Sequence, residues 1–167
     1  MWYVIWVRAQ HEEEIVRQCR KILKSDEDVF NIYVEKLHRT GKEWTAHREL
    51  AFRNYIFADV EDVSNFRLRL KRIPELTKLL QIGDEITPIY PDEEALLRQL
   101  GGEDHVIRPS KGHYEGEKIV VTEGPLRGLE TEIKWVDRRQ RTVGIEVQLM
   151  NRAVDVKLGA EFVKTAE

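Results

Sequence analysis

Residues 115–128 read EGEKIVVTEGPLRG, and their reading decides how the C-terminal part of the chain folds. Isoleucine and valine crowd positions 119–121 without the spacing that gives a helix an apolar face, so the run is a strand. Gly124-Pro125 and Gly128 then stop it. A glycine on each side of a tight turn supplies the left-handed backbone that a small barrel needs at its corners, so Gly124 and Gly128 are expected to be structural. A strand and not a helix follows, which makes them poor phosphate cradles.

Downstream, ETEIKWVD, TVGIEVQLM, AVDVKL and EFVK are further short strands separated by turn signals. Val143, Ile145, Val147 and Leu149 alternate, so one face of their strand is buried. Short antiparallel strands over roughly fifty residues bury a core best by curling into a small barrel. The turn inside KWVDRRQRTVGIEV (134–147) gathers Lys134, Arg138, Arg139 and Arg141 against the single acid Asp137, with Trp135 beside them. A solvated hairpin loop and a nucleic-acid contact both fit that composition. Arg127 and Arg152, in neighbouring turns, would extend the patch.

Upstream, GGEDHVIRPSKGH (101–113) has no helical or strand period and is expected to be a linker. Before it the character changes. WYVIWV (2–7) suits a central strand. The next segment places Ile15, Val16, Cys19, Ile22 and Leu23 on one helix face, with Glu12, Glu13 and Glu14 in the first turn. VFNIYVEKLHRTGKEWTAHREL predicts two strands joined near Thr40-Gly41, and NYIFADV (54–60) another. Ser64 is placed to cap a helix through FRLRLKRI, with Leu68 and Ile73 inward and Pro74 ending it. A short strand surrounds Gly83. Pro91 opens a last helix that Gly101-Gly102 closes. Residues 1–100 thus predict an α+β domain with helices on a mainly antiparallel sheet.

A net charge of −3 argues against a protein that coats nucleic acid by charge alone, so phosphate contacts must be local. One cysteine rules out an intrachain disulfide and a cysteine-based zinc site. The apolar start lacks the lead-in and cleavage site of a signal peptide and is too short to span a membrane; a cytoplasmic protein is expected. Histidines 11, 38, 47, 105 and 113 show no metal-ligand spacing, and Ser64 and Ser110 lie in no nucleophile elbow. No enzyme activity, metal or cofactor is expected.

In order, these stretches resemble the NusG family of transcription elongation factors over nearly the whole chain. WYVIWVRAQHEEEIVRQCRKIL is similar to the family's opening strand and helix. AFRNYIFADV resembles its aromatic strand segment, normally F-F-P-G-Y or F-x-P-N-Y. EITPIYPDEEALLRQL looks like the P-I-S-x-x-E lead into the last helix. The C-terminal stretch is similar to the KOW motif, G-x-x-V-x-V-x-x-G-P-[FL]-x-G, carried here by Gly116, Ile119, Val121, Gly124, Pro125, Leu126 and Gly128. Departures exist: Arg53-Asn54 replaces the family's Pro-Gly, and Thr131 its usual third glycine. A hairpin bearing Trp44 and His47 and the extra arginines look more like a specialised paralogue, such as the LoaP antiterminator branch.

The resemblance implies an NGN-like RNA polymerase-binding domain at 1–100, a linker at 101–113 and a KOW barrel at 114–167. It implies that Phe52 and Tyr55, with Tyr3 nearby, line a concavity gripping the polymerase clamp helices. Core packing is the alternative for these aromatics and for Trp2. Ser64 and Asn65 match the place where the family touches the opposite side of the cleft. Arg67, Arg69, Lys71 and Arg72 form either a solvated helix face or a surface toward upstream or non-template DNA. The basic KOW turn is expected to hold nascent RNA, as a hairpin. A ribosomal protein or termination factor is the other candidate partner of the KOW domain, and a ribosomal-protein-like RNA module without a polymerase role the other reading. A monomer without membrane contact is expected. For Trp135, alternation with Ile133 points the indole inward, whereas the family's pattern turns Val136 inward instead.

Overall fold

The computed structural model describes residues 1–164. Along the first half run β1 (Trp2–Val7), α1 (Glu12–Arg20), β2 (Asp28–Phe30), β3 (Tyr33–Thr40), β4 (Glu43–Leu50) and β5 (Tyr55–Asp59). Then come α2 (Val63–Leu70), β6 (Thr77–Leu79), β7 (Gln81–Ile82), β8 (Glu85–Ile86) and α3 (Pro91–Gly101). The remainder is β9 (Val106–Ile107), β10 (Ser110–Glu115), β11 (Lys118–Glu123), a 3-10 turn (Glu130–Glu132), β12 (Ile133–Asp137), β13 (Thr142–Leu149) and β14 (Arg152–Lys164). The chain divides into two compact units. One joins Met1–Ile32 to Phe52–Glu94; the other joins Tyr33–Ala51 to the chain from Ala95.

In the first unit, β1 is an inner strand of a sheet ordered β2-β5-β1-β6, antiparallel throughout. Strand side chains alternate between faces. Tyr3, Ile5 and Val7 accordingly enter one core with Ile15, Val16 and Cys19 of α1 and Phe66 and Leu70 of α2. The opposite face carries Trp2, whose ring lies 4.9 Å edge-on to Phe30 and 6.2 Å from Phe57. Helix α2 begins two residues earlier than expected, because Asp62, not Ser64, caps it: its carboxylate accepts the Asn65 N–H at 3.1 Å. The buried face follows the i,i+4 spacing of Phe66 and Leu70. Phe66 and Leu70 turn inward, and Leu68, expected inside, is 63% exposed.

The second unit holds the β3–β4 hairpin, which joins β9 in a sheet ordered β4-β3-β9. The hairpin therefore leaves the sheet with which its sequence neighbours pack. Residues 101–113 are not an open tether: they contain β9, paired in parallel with β3, and the start of β10. Five strands form the other sheet, ordered β11-β10-β14-β13-β12. They differ from the expected five, because AVDVKL and EFVK fuse into the single long β14 and β10 comes from the presumed linker. Since β11 and β12 lie at opposite edges, hydrogen bonding does not close the sheet into the expected barrel. Its inner face buries Val143, Ile145, Val147, Val156, Leu158 and Phe162 around Leu126. Gly124 and Gly128 have φ of +98° and +82°, values that an L side chain disfavours. No described helix is long and apolar enough to cross a membrane.

Burial pushes the Cys19 thiol up to about 12. A water-soluble disulfide reagent should therefore modify Cys19 only as fast as the native unit opens, and at once in denaturant. Rapid labelling of native protein at pH 7 would contradict this packing.

Candidate functional site

Tyr55 opens β5 opposite Trp6 of β1. Directly paired residues share a face, so both rings project on the side of the sheet away from α1 and α2, and both are half-buried. Lys78 of β6 stands on the other flank of Trp6 and is exposed. The turn before Tyr55 is tightly held. Asn54 adopts φ +69°, a conformation asparagine tolerates better than most residues. Its N–H donates to the carboxylate of buried Glu12 at 3.3 Å, and its side-chain amide donates to the Val7 carbonyl at 3.1 Å. Asn54 thereby stands in for the family's glycine.

The other aromatics proposed for this contact are buried. Phe52 is only 2% exposed and meets Phe57 edge-on at 5.5 Å. Tyr3 points to the helix side and is 5% exposed; burial, then Glu61, raises its phenol above the usual range. Strand parity turns Tyr3 toward the helices, whereas Phe52, ahead of β5, is buried by packing on Phe57 at the Tyr55 side of the sheet.

Helix α2 separates into two kinds of cation. Arg69 is not a surface group: it forms a fork with Glu27, NH1 to Oε1 and NH2 to Oε2, each at 2.7 Å. It also donates to Asn65 Oδ1 at 2.9 Å and to the Ile22 carbonyl at 2.6 Å. These four bonds occupy the guanidinium and half-bury Asn65, so neither matches the expected external contact. Arg67, Lys71 and Arg72 remain exposed, as does Ser64. A cavity of about 560 Å³ opens beside Lys71, with Arg8, His11 and Leu76 on its wall; sequence spacing gave no sign of it.

In the second unit the basic turn is only partly open. Arg138 donates to the Phe162 carbonyl at 3.3 Å and lies 5.6 Å over the Tyr114 ring. Arg141, at φ +55°, sits 4.1 Å over the Trp44 ring, with Glu161 at 3.8 Å. Arg141 is thus folded back onto its own unit. Lys134, Arg139, Arg127 and Arg152 are exposed.

Trp135 points outward, 46% exposed. The reason is a β-bulge. Ile133 faces Ile145, but the next paired residue is Trp135, opposite Gly144, followed by Val136 opposite Val143. The extra residue lets Ile133 and Val136 both face the core while the indole swings out. Simple alternation misses this. Lys157, opposite Gly144 on β14, is a further exposed cation here. Among the described residues, no group of three or more His, Cys, Asp or Glu is placed to hold a metal.

The family model described as "Transcription termination factor nusG" matches residues 1–98. The transcription termination/antitermination protein NusG of Campylobacter jejuni is 21% identical over 164 residues, 94% of this chain and 92% of that protein. The corresponding NusG of Rickettsia prowazekii is 24% identical over 176 residues, 99% of this chain and 90% of that protein. Among solved structures, one described as "Domain interaction in Thermotoga maritima NusG" superposes with a TM-score of 0.51 at 16% identity. It covers 95% of this chain and 92% of that one, which establishes likeness of fold.

The Glu27–Arg69 fork allows a direct check. The Arg69 hydrogen bonds hold the Glu27 carboxyl below its ordinary range. Its contribution is therefore complete above the ordinary carboxyl pKa of about 4.3 and fades as pH falls through that value and below. Arg69→Ala should lower stability by about 2–3 kcal/mol at neutral pH. The gap to wild type, measured by urea unfolding, should narrow with acidification; a pH-independent gap would point to lost packing alone.

Proposed function

The chain belongs to the NusG family of transcription termination/antitermination factors, and from that premise we propose that it acts on elongating RNA polymerase through Tyr55 and Trp6. The supporting observation is their pairing: two rings side by side, half-buried, on the sheet face opposite α1 and α2, where Trp2, Val4 and Phe57 farther along are fully buried. Aromatic anchors of this kind supply most of the energy of a helix-in-groove contact, and the polymerase clamp helices are the proposed occupant. Phe52 and Tyr3 act beneath them as packing, not as contacts. Preferential binding to the closed clamp would shift the polymerase toward its processive state, since a binder moves an equilibrium only by its difference in affinity.

In this proposal the second unit provides selectivity by holding nascent RNA, as in a specialised antiterminator of the LoaP type. Lys134 and Arg139 are its main phosphate contacts, with exposed Arg138 beside them, whereas Arg141 is engaged with Trp44 and Glu161 of its own unit. Arg67, Lys71 and Arg72 are the groups of the first unit that would face upstream or non-template DNA.

Tyr55→Ala should weaken capture of RNA polymerase by about 30-fold, the equivalent of one strong anchor, with an unchanged thermal melt. Loss of the melt instead would return Tyr55 to the core. Replacing Lys134 and Arg139 with alanine should lower the slope of log affinity against log salt by about 0.7 per residue on single-stranded leader RNA. An RNA affinity indifferent to salt in the wild type would favour a protein partner, such as a ribosomal protein or termination factor.

A further inference from the structure

The outward indole of Trp135 has a backing that makes it more than a covered edge. The pyrrole part of the ring lies over Gly144: a Cβ at that position would collide with its Nε1, Cε2 and Cδ1 atoms. Glycine at 144 therefore lets the indole lie flat against the strand, with its other side toward solvent and the residue 46% exposed. The fold spends a bulge to bring it there. A strand with simple alternation would have buried the ring and gained a few kcal of apolar transfer, so its exposure goes against packing.

The neighbours supply charge without blocking the ring. Among the described residues, no guanidinium or second ring covers the indole, in contrast to Trp44 and Tyr114, which lie under Arg141 and Arg138. Lys157 stands two strands away, across Gly144 on the same outer face, its ammonium 3.3 Å from Gln140 Oε1. Lys134 adjoins the ring in sequence and is exposed. The nearby acids are partly occupied: Asp137 accepts the Gln140 N–H at 3.0 Å, and Glu146 accepts from Gln148 at 3.0 Å.

We infer that Trp135, laid on Gly144 and flanked by Lys134 and Lys157, is a stacking platform for one unpaired base of the bound RNA. The inference rests on the RNA-binding reading above and narrows it. In an A-form stem the faces of the bases are hidden in the stack, and only their edges and the backbone are presented. A flat, exposed indole matches a face and not an edge. The RNA is therefore engaged through a single-stranded loop or flank, with the lysines on the adjoining phosphates.

The test uses the full chain with two probes, a single-stranded oligoadenylate and a blunt RNA duplex of equal length. Trp135→Ala should weaken binding of the oligoadenylate by about tenfold and leave duplex binding within about twofold, whereas Trp135→Phe should keep most of the affinity. The oligoadenylate should quench an emission component that wild type has and Trp135→Phe lacks, a measurement that stands even if the alanine variant folds poorly. Gly144→Ala, which lifts the ring, should act in the same direction as Trp135→Ala. Undiminished oligoadenylate binding by Trp135→Ala, or equal losses on both probes, would overturn the platform while leaving RNA binding intact. Failure of the wild type to bind either RNA would remove the RNA reading and the platform together.

Discussion

The first unit depends on one register, Trp6 opposite Tyr55 in the antiparallel pair β1–β5. A slip of one residue would exchange the two faces of one strand relative to the other: either β1 would turn its apolar side chains from the helices, or β5 would turn Tyr55 into the core. The turn ahead of β5 guards against this. Val7 N–H donates to the Asn54 carbonyl at 2.8 Å, and Asn54 returns a bond to the Val7 carbonyl. Buried Glu12 in α1 accepts the Asn54 N–H. Helix, turn and strand are thus fixed to one another at the residue before the half-buried tyrosine. A contact face built this way needs no ordering of loops before it binds, so little of its aromatic contact energy is offset by entropy.

The same parity governs the second unit, where it is deliberately broken. Without the bulge at residues 133–135, strand β12 could not present Ile133 and Val136 to one core. Its consequence is an outward Trp135. Core formation and exposure of the indole are therefore one structural decision, and a mutation that removed the bulge would disturb both. The arginines around it are divided by local geometry. Arg141, in the left-handed region, turns back to Trp44, while Arg139 in the same turn stays exposed.

Much of this was legible in the sequence wherever a local rule sufficed. The apolar spacing of Ile15, Val16 and Cys19 located α1, Pro91 and Gly101 bracketed α3, and alternation from Val143 to Leu149 gave the inner face of β13. Whatever depended on long-range partners was not legible. SKGHYE in β10 has no apolar alternation, and its strand is made by distant partners, β11 antiparallel and β14 parallel. Arg69 looks like its basic neighbours until Glu27, far away in sequence, takes it. Phe52 and Tyr55 are alike in type and differ only in where the turn aims them. The hairpin of β3 and β4 was readable as a hairpin, but nothing local said that β9 would be its neighbour.

The distribution of charge explains how an acidic protein can still offer basic surfaces. Many of its carboxylates are used to hold particular cations: Glu27 for Arg69, Asp104 for Arg108, Glu161 for Arg141, Glu35 for Arg48. Pairs of this kind cancel at short range and fix side-chain positions. The exposed cations of α2 and of the β12–β13 turn then stand out locally, although the net charge is −3. Salt screens such patches over about 8 Å under physiological conditions, so they cannot draw a polyanion in from afar. Selectivity must arise at contact, where apolar ring faces discriminate and charge only steadies the complex. That requirement is the same for the paired rings of the first unit and for the indole of the second. In both proposed contacts, the side chain that would decide binding is an aromatic group that strand geometry keeps from full burial.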